Sequence, residues 1–155
     1  ISMMKFPIGT KGHQIDTVGR IELWKSGLDY NHGTGHGVGS FLSVHEGPQS
    51  ISKKFNKFDL KPGMIISNEP GYYRDRRFGV RIENLILVKK SKKIGFLEFE
   101  TLSLFPYEKK LIKKDLLSEF QIKWLNNYHK NIYSKIAPLV GFKEKKWLKK
   151  KTLPL

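Results

Sequence analysis

Alternating apolar and polar residues predict short β-strands in the first two thirds of the chain. Residues 64–69 form one such segment, and we expect Pro70 to end it because proline cannot donate a hydrogen bond within a sheet. Side chains alternate between the two faces of a strand, so Ser67 and Glu69 share one face. Residues 41–45 predict another short strand.

A second alternating segment, residues 80–88, begins directly after Gly79. It predicts one continuous strand whose apolar face carries Val80, Ile82, Ile86 and Val88. Arg81 and Glu83 then lie side by side on the opposite face. A guanidinium and a carboxylate within an otherwise apolar strand are costly without partners, so this placement is typical of a functional site.

Apolar residues at helical spacing predict one helix near the start of the chain. Asp16 or Thr17 can cap its N-terminus, since both side chains accept hydrogen bonds from free backbone N–H groups. Gly27 can adopt the left-handed conformation that commonly ends a helix.

Two further helices are predicted in the last third of the chain. Ser118 and Gln121 have the spacing of a capping box, and apolar residues follow them at helical intervals. Pro138 is expected to end that helix, and residues 142–150 predict another. Within the first of these two helices, His129 occupies a position that packing explains.

The change in pattern near residue 99 predicts an α+β architecture with two regions, residues 1–98 and residues 99–155. With 155 residues and 39% hydrophobic side chains, the composition is that of a globular protein. No apolar stretch is long enough to cross a bilayer. Cysteine is absent, which excludes disulfides and thiolate chemistry and fits a cytosolic setting.

The formal charge of +15 raises the hypothesis of nucleic-acid binding. Only five of the 29 basic residues are arginine, however, and arginine is favoured for base contacts and for paired contacts to phosphate. Many of the lysines alternate with apolar residues at helical spacing near the C-terminal end. We therefore interpret them as a solvated helix surface and expect no nucleic-acid partner.

A glycine-rich segment follows the first predicted helix. Glycine stands at every second position from 33 to 39, which is incompatible with a stable helix. His32 and His36 therefore do not form a pair on one helix face. The segment is expected to be extended or looped, with its backbone close to another group.

Five side chains in the first region can bind metal: His32, His36, His45, Glu69 and Glu83. Imidazoles combined with carboxylates suit Mn, Fe, Co or Zn, and bridging carboxylates suit paired metals. Spacing alone leaves the alternative open that each histidine is structural and each glutamate a surface charge.

Four motifs occur in order and resemble the Xaa-Pro aminopeptidases (aminopeptidase P), which belong to the pita-bread metallopeptidases with prolidase and methionine aminopeptidase. They are His32-Gly33-Thr34-Gly35-His36-Gly37-Val38-Gly39, Val44-His45-Glu46-Gly47-Pro48, Asn68-Glu69-Pro70-Gly71-Tyr72-Tyr73 and Val80-Arg81-Ile82-Glu83-Asn84. The closing part of the chain resembles the C-terminal extension of the cytosolic-type enzymes. The resemblance implies the C-terminal part of a pita-bread (creatinase/aminopeptidase-like) domain at residues 1–98, followed by a small helical extension at residues 99–155.

The resemblance also implies a role for each residue of the motifs. His36 matches a metal ligand, and Glu69 matches a carboxylate that binds the same metal and shuttles a proton. Glu83 matches the carboxylate that bridges both metals. His32 and His45 match two histidines that hold the substrate and stabilise the developing oxyanion. Arg81 and Tyr73 match groups that support the ligands or face the substrate.

The same resemblance implies two divalent metal ions, with Mn²⁺ expected, and a peptide substrate that has proline at its second position. It further implies a cytoplasmic homodimer. The family's two metal-binding aspartates belong to a motif written Asp-Gly and then Asp-x-Thr-Arg, and neither Asp16 nor Asp29 has that context. We therefore expect the chain to be part of a longer enzyme and inactive alone. A prolidase-type dipeptidase and a non-catalytic pita-bread binding module are the alternatives.

Overall fold

The structure, a computed structural model, describes residues 1–41 and 43–155. It divides into two compact units, Ile1–Ser103 and Leu104–Leu155. The first unit contains one helix and eight strands, and the second contains two α-helices and three 3₁₀ turns within the described residues. The expected α+β class is confirmed.

The first unit is built on a four-stranded antiparallel sheet, whose strands are β1 (Lys5–Pro7), β4 (Ile65–Asn68), β7 (Asn84–Lys90) and β8 (Phe96–Thr101). Their order in the sheet is β1-β8-β7-β4. Ile66, Ile86 and Leu97 are fully buried on the face that forms the core, and Ile15 joins them. Burying each such side chain contributes roughly 1.5–3 kcal/mol, so this layer holds the unit together.

The prediction of one continuous strand over residues 80–88 is wrong. The segment divides into β6 (Phe78–Arg81) and β7, and the break falls at Ile82 and Glu83. β6 pairs with β5 (Gly71–Arg74) in a separate hairpin, while β7 pairs with β4 in the large sheet. Pro70 separates β4 from β5. Because β5 pairs with β6 and β4 pairs with β7, the break between β6 and β7 lies opposite the break at Pro70. Strand β4 itself agrees with the prediction.

The predicted helix near the start of the chain is α1 (Gly12–Trp24), but neither predicted cap is correct. The helix begins after Lys11, whose backbone N–H donates to Oε1 of Gln14 at 2.7 Å. Asp16 lies inside the helix and is buried. The predicted C-terminal stop is confirmed, since Gly27 has a φ of 68°.

The glycine-rich segment is extended, as expected. Gly35–His36 forms β2, which pairs with β3 (Ser50–Ile51). The predicted strand at residues 41–45 is wrong, because Phe41, Ser43, Val44 and His45 have no strand structure; Leu42 lies outside the described residues.

The second unit matches its predicted helices. In α2 (Glu119–Ile136), the hydroxyl of Ser118 accepts a hydrogen bond from the backbone N–H of Gln121, and the Gln121 side chain completes the capping box. α2 ends before Pro138, which lies in a 3₁₀ turn (Ala137–Leu139), and α3 covers Phe142–Lys151. Two other 3₁₀ turns, Lys109–Leu111 and Lys114–Leu116, precede α2.

The core of the second unit forms where α2 and α3 bury their apolar positions, chiefly Leu125, Ile132 and Leu148. His129 is also fully buried, as packing predicted, and its Nε2 accepts a hydrogen bond from the backbone N–H of Tyr107 at 3.2 Å. Among the helices that the structure describes, none has both the length and the apolar character needed to cross a bilayer.

Candidate active site

Glu69 lies directly after β4, and the glycine-rich segment fixes its backbone. Its N–H donates to the carbonyl oxygen of Thr34 at 2.8 Å. The hydroxyl of Ser67, two residues earlier on the same strand face, donates to Oε1 of Glu69 at 2.9 Å. Glu69 is buried with only 9% of its surface exposed, so its carboxylate orientation is set by these contacts.

His36 faces that carboxylate. Its backbone N–H donates to the hydroxyl of Ser67 at 2.9 Å, and its Nε2 lies 3.3 Å from Oε1 of Glu69. Nδ1 lies 3.0 Å from the carbonyl oxygen of Gly37. A carbonyl can only accept, so Nδ1 donates there, and in the neutral ring Nε2 then has a lone pair directed at a carboxylate. Two acceptors that face each other at this distance are stabilised by a cation or proton shared between them.

Arg81, at the end of β6, joins two carboxylates. Its Nη1 lies 3.7 Å from Oε2 of Glu69 and 4.0 Å from Oε2 of Glu83. Arg81 and Glu83 therefore do share one surface, as the strand pattern predicted, although the strand breaks between them. Both side chains are about half exposed, with 47% of each accessible.

The hydroxyl of Tyr73 connects Arg81 to His32. Nε of Arg81 donates to it at 2.9 Å, and it lies 2.9 Å from Nε2 of His32. The hydrogen bond from the Arg81 guanidinium to the Tyr73 hydroxyl raises the pKa of that guanidinium, and the nearby Glu69 and Glu83 carboxylates act in the same direction. Arg81 therefore stays charged at this site.

His45 completes the group from another segment. Its ring centroid lies 4.0 Å from that of His36, with the two rings tilted by 47°. Glu69 is buried, whereas His45 is exposed. It lies in a bend rather than in the strand that the sequence predicted.

All seven sequence-predicted site residues are thus joined by successive contacts, in the order His32, Tyr73, Arg81, Glu69, His36 and His45, with Glu83 branching from Arg81. The contacts are not equally close. His36 and Glu69 meet directly, whereas Glu83 is linked to Glu69 through the guanidinium of Arg81. Within residues 1–41 and 43–155, no three His, Asp or Glu side chains are close enough together to hold a metal ion.

Two glycines make this arrangement possible by allowing backbones to approach. A Cβ atom on Gly35 would lie 1.9 Å from the carbonyl oxygen of Ser67, and one on Gly37 would lie 1.9 Å from that of Glu46. The Ser67 oxygen belongs to β4, which is paired with β7, and the Glu46 backbone is held to Gly37 by its N–H, which donates to the Gly37 carbonyl oxygen at 2.9 Å, so neither can easily move aside. The expectation that these glycines permit close backbone approach is correct, and the neighbour is protein backbone.

Three residues that hold the site residues in place were given no functional role from the sequence: Ser67, Thr34 and Arg20. Ser67 shared a predicted strand face with Glu69, which was a signal for its role. For Arg20 the sequence contained a partial signal, since Asp16 lies four residues earlier on the same helix, but its partners Asp29, Tyr30 and His32 lie in a loop whose path only the fold determines. Its guanidinium forms ion pairs with Asp16 and Asp29, so both carboxylates are already bound to a cation of the protein.

A cavity of about 250 Å³ lies beside His32. Arg20, Tyr30 and Lys53 contribute to its wall. Nζ of Lys53 contacts Oδ2 of Asp29, and this contact, together with Arg20, holds the pKa of the Asp29 carboxyl well below its usual range.

The sequence matches two known family descriptions over nearly its whole length. Residues 1–90 match the metallopeptidase family M24, and residues 95–155 match the C-terminal region of that family's peptidases. The chain is 48% identical to a probable Xaa-Pro aminopeptidase P of Coprinopsis cinerea, with 97% of this chain and 26% of the relative covered. It is 49% identical to aminopeptidase P2 of Arabidopsis thaliana, with 97% and 22% covered. The chain therefore spans about a quarter of the length of the curated relatives it matches.

Solved structures give the same result at the level of fold. An X-prolyl aminopeptidase from Caenorhabditis elegans, described as a cytosolic enzyme with a di-nuclear active site, superposes with a TM-score of 0.95 and 37% identity over 99% of this chain and 26% of that chain. An Xaa-Pro dipeptidase from Bacillus anthracis gives a TM-score of 0.55 and 31% identity over 66% of this chain and 27% of that chain. The pita-bread fold implied by the motifs is confirmed, and the chain belongs to metallopeptidase family M24.

Proposed function

We propose that this chain forms part of a metal-dependent aminopeptidase that hydrolyses the bond between an N-terminal residue and a following proline. The observation that carries the proposal is the approach of Nε2 of His36 to Oε1 of Glu69, within the contact chain that includes His32 and Tyr73. Two facing acceptors at the end of a buried strand fit a cation-binding site, and the neighbouring groups fit substrate contacts.

The residue roles within the proposal are those that the motifs imply, and the positions of the side chains support them. His36, Glu69 and Glu83 would hold the metals, and the contact of His36 Nδ1 with a backbone carbonyl would fix the ring so that Nε2 faces the ligand position. Glu69 would accept the proton of the attacking water and return it to the proline nitrogen that leaves. Its hydrogen bond from Ser67 would keep the carboxylate oriented during both transfers.

His32 and His45 would contact the substrate. Each lies at one end of the contact chain. The imidazole of His45 would donate to the oxyanion that develops on the scissile carbonyl, while His32, whose two ring nitrogens contact Gly33 and Tyr73, would hold the substrate through contact with its ring. Arg81 and Tyr73 would orient Glu69 and His32, which they contact directly. The proposed substrate is a peptide with proline at its second position.

The bound metals would supply a hydroxide near neutral pH, because a divalent cation lowers the pKa of the water it binds. The donor types suit Mn, Fe, Co or Zn. We propose two ions per site, with Mn²⁺ as the physiological metal. The described part of this chain supplies one close pair of ligands, so the proposal assigns the remaining coordination to Glu83 and to groups outside this chain.

We further propose that the complete protein is a cytoplasmic homodimer. The C. elegans protein described as cytosolic supports the location. Sedimentation of the purified protein tests the assembly state, and a monomer across the micromolar range would contradict it.

A prolidase-type dipeptidase is the second candidate. Solved dipeptidases are similar to this chain, but the example above covers only 66% of it, whereas the aminopeptidase covers 99%. The relatives from C. cinerea and A. thaliana, which match 97% of this chain and so include its C-terminal unit, are both named aminopeptidases, and this favours the first candidate.

The two candidates differ in the substrate they cut. The full-length protein, loaded with Mn²⁺, should release the first residue from an Xaa-Pro-Xaa tripeptide at a higher kcat/KM than from the Xaa-Pro dipeptide. A preference for the dipeptide supports prolidase activity instead. Metal binding without cleavage of either peptide would support the non-catalytic binding module.

A further inference from the structure

Arg20, on α1, is a fully buried arginine with every donor in use. Nε donates to Oδ2 of Asp16 at 2.7 Å, and Nη2 donates to Oδ1 of the same residue at 3.3 Å. Nη1 donates to Oδ1 of Asp29 at 2.8 Å. The remaining two N–H groups donate to backbone carbonyls, those of Tyr30 and His32, each at 2.7 Å. Arg20 is 1% exposed.

These contacts hold the segment around His32 at several points. Besides its two carbonyl bonds, Arg20 lies over the ring of Tyr30 at 3.8 Å from the centroid. The Tyr30 ring in turn lies 4.8 Å from that of His32. Asp16 continues the set, because its Oδ1 accepts a hydrogen bond from the hydroxyl of Thr34 at 2.6 Å. The two residues that flank His32 closely in sequence, Tyr30 and Thr34, also contact each other through their hydroxyls.

We propose that Arg20 is a positioning residue for His32: it fixes the backbone of residues 30–34 so that the His32 imidazole meets Tyr73. The inference rests on the proposed function in one respect, since it makes the position of His32 matter for turnover. Arg20 itself touches no atom of the candidate site beyond the backbone of His32.

Ligand binding is a poor alternative for Arg20, although the residue borders the cavity beside His32. All five of its N–H groups already donate within the protein, so a ligand would have to displace one of them. A purely stabilising role is also a poor alternative. Buried ion pairs are frequently no more stabilising than apolar side chains of similar volume, whereas a planar fork with five fixed donors gives geometry that lysine cannot reproduce.

The test compares Arg20→Lys with wild type in the full-length protein, using two readouts. The first is the imidazole NMR signals of His32, assigned by their loss in His32→Ala and recorded without metal or substrate. We expect Arg20→Lys to shift or broaden the His32 signals while those of His45 stay in place. Val88→Ala, a core change on β7, is the control for general destabilisation, and it should lower the melting temperature without moving the His32 signals.

The second readout is a double-mutant cycle on cleavage of an Xaa-Pro-Xaa peptide. Arg20→Lys should lower kcat by roughly 10- to 100-fold in the wild-type background, the order expected for displacement of a catalytic group by about 1 Å. In the His32→Ala background the same change should alter kcat less than about twofold, because the group it positions is already absent. Equal losses in both backgrounds, or unchanged His32 signals, would overturn the inference.

Two further outcomes are distinguishable. If Arg20→Lys does not fold, Thr34→Val removes the hydroxyl that contacts Asp16 and Tyr30, and it should move the His32 signals while Thr34→Ser leaves them nearly unchanged. Unmoved signals in Thr34→Val would then count against the inference. If the wild-type protein cleaves no Xaa-Pro bond, the proposed function fails, and the NMR readout still decides whether Arg20 sets the position of His32.

Discussion

The hydroxyl oxygen of Tyr73 lies 2.9 Å from Nε2 of His32, although 41 residues separate them in the chain. The direction of this hydrogen bond follows from its neighbours. Nδ1 of His32 lies 2.7 Å from the carbonyl oxygen of Gly33, which can only accept, so Nδ1 donates and Nε2 of the neutral ring accepts. Tyr73 therefore donates to His32 and accepts from Arg81, so these two hydrogen bonds run in one direction, from Arg81 through Tyr73 to His32.

Replacing Tyr73 with phenylalanine should lower activity without loss of the fold. The change removes the hydroxyl that accepts from the Arg81 guanidinium and donates to His32, so both groups lose a fixed partner. We expect kcat/KM for an Xaa-Pro-Xaa peptide to fall roughly 10- to 100-fold, as for a small displacement of groups that contact the substrate. Tyr72→Phe is the matched control on the same strand and should stay within about twofold of wild type. Equal effects of the two substitutions would refute the role of the Tyr73 hydroxyl.

Replacing Glu69 with glutamine should abolish turnover while the protein remains folded. Glutamine preserves the shape of the side chain and can still accept from Ser67, but it cannot take up the proton of the attacking water. A general acid–base group contributes roughly 10²- to 10⁴-fold, and kcat should fall by at least that range. Glu100→Gln on β8 keeps wild-type activity as the control. Unchanged turnover in Glu69→Gln, with an unaltered melting temperature, would remove Glu69 from the mechanism.

Replacing Gly35 with alanine should destabilise the first unit. The added Cβ would lie 1.9 Å from the backbone oxygen of Ser67, a contact that only a shift of β2 or β4 can relieve. We expect a loss of at least about 3 kcal/mol, the upper part of the range for overpacking. Gly47→Ala is the control, since no heavy atom lies within 4 Å of its Cβ position. Thermal unfolding and soluble yield measure the difference, and equal melting temperatures for the two variants would contradict the close approach of Gly35 to Ser67.

The stability of the second unit should depend on pH through His129. Burial lowers the pKa of His129, and the charge of Lys109 lowers it further. The unfolded chain therefore binds the proton more readily than the folded chain. The contribution of neutral His129 to the free energy of unfolding is fully present above the ordinary histidine pKa, about 6.5, and is lost as the pH falls below it.

His129→Gln should weaken this dependence of stability on pH, because it removes the titrating ring from the buried face of α2. The melting temperature measured between about pH 5 and pH 7.5 should then change less than in wild type. His13→Gln is the matched control and should retain the wild-type slope. A slope that His129→Gln leaves unchanged would show that another group is responsible.

The sequence alone predicted the local elements that depend on neighbouring residues. The capping box at Ser118, the helix end before Pro138 and the end of β4 before Pro70 all involve groups within a few residues of each other. The motifs also pointed to the family, and the matching family description and solved structures confirm it. The start of α1 was predicted wrongly because aspartate is a common N-cap residue, whereas the Asp16 side chain forms an ion pair with Arg20 instead of capping the helix.

Only the tertiary structure determined which side chains meet. The break between β6 and β7 depends on which partner each half pairs with, and alternation along one strand contains no information about that partner. The contact of Tyr73 with His32, and the clamp of Arg20 on the His32 segment, join residues that sequence spacing does not relate. Residue types in a sequence indicate what chemistry is available. Close approach of distant backbones decides where that chemistry is assembled, because hydrogen bonds and ion pairs act over only a few ångströms.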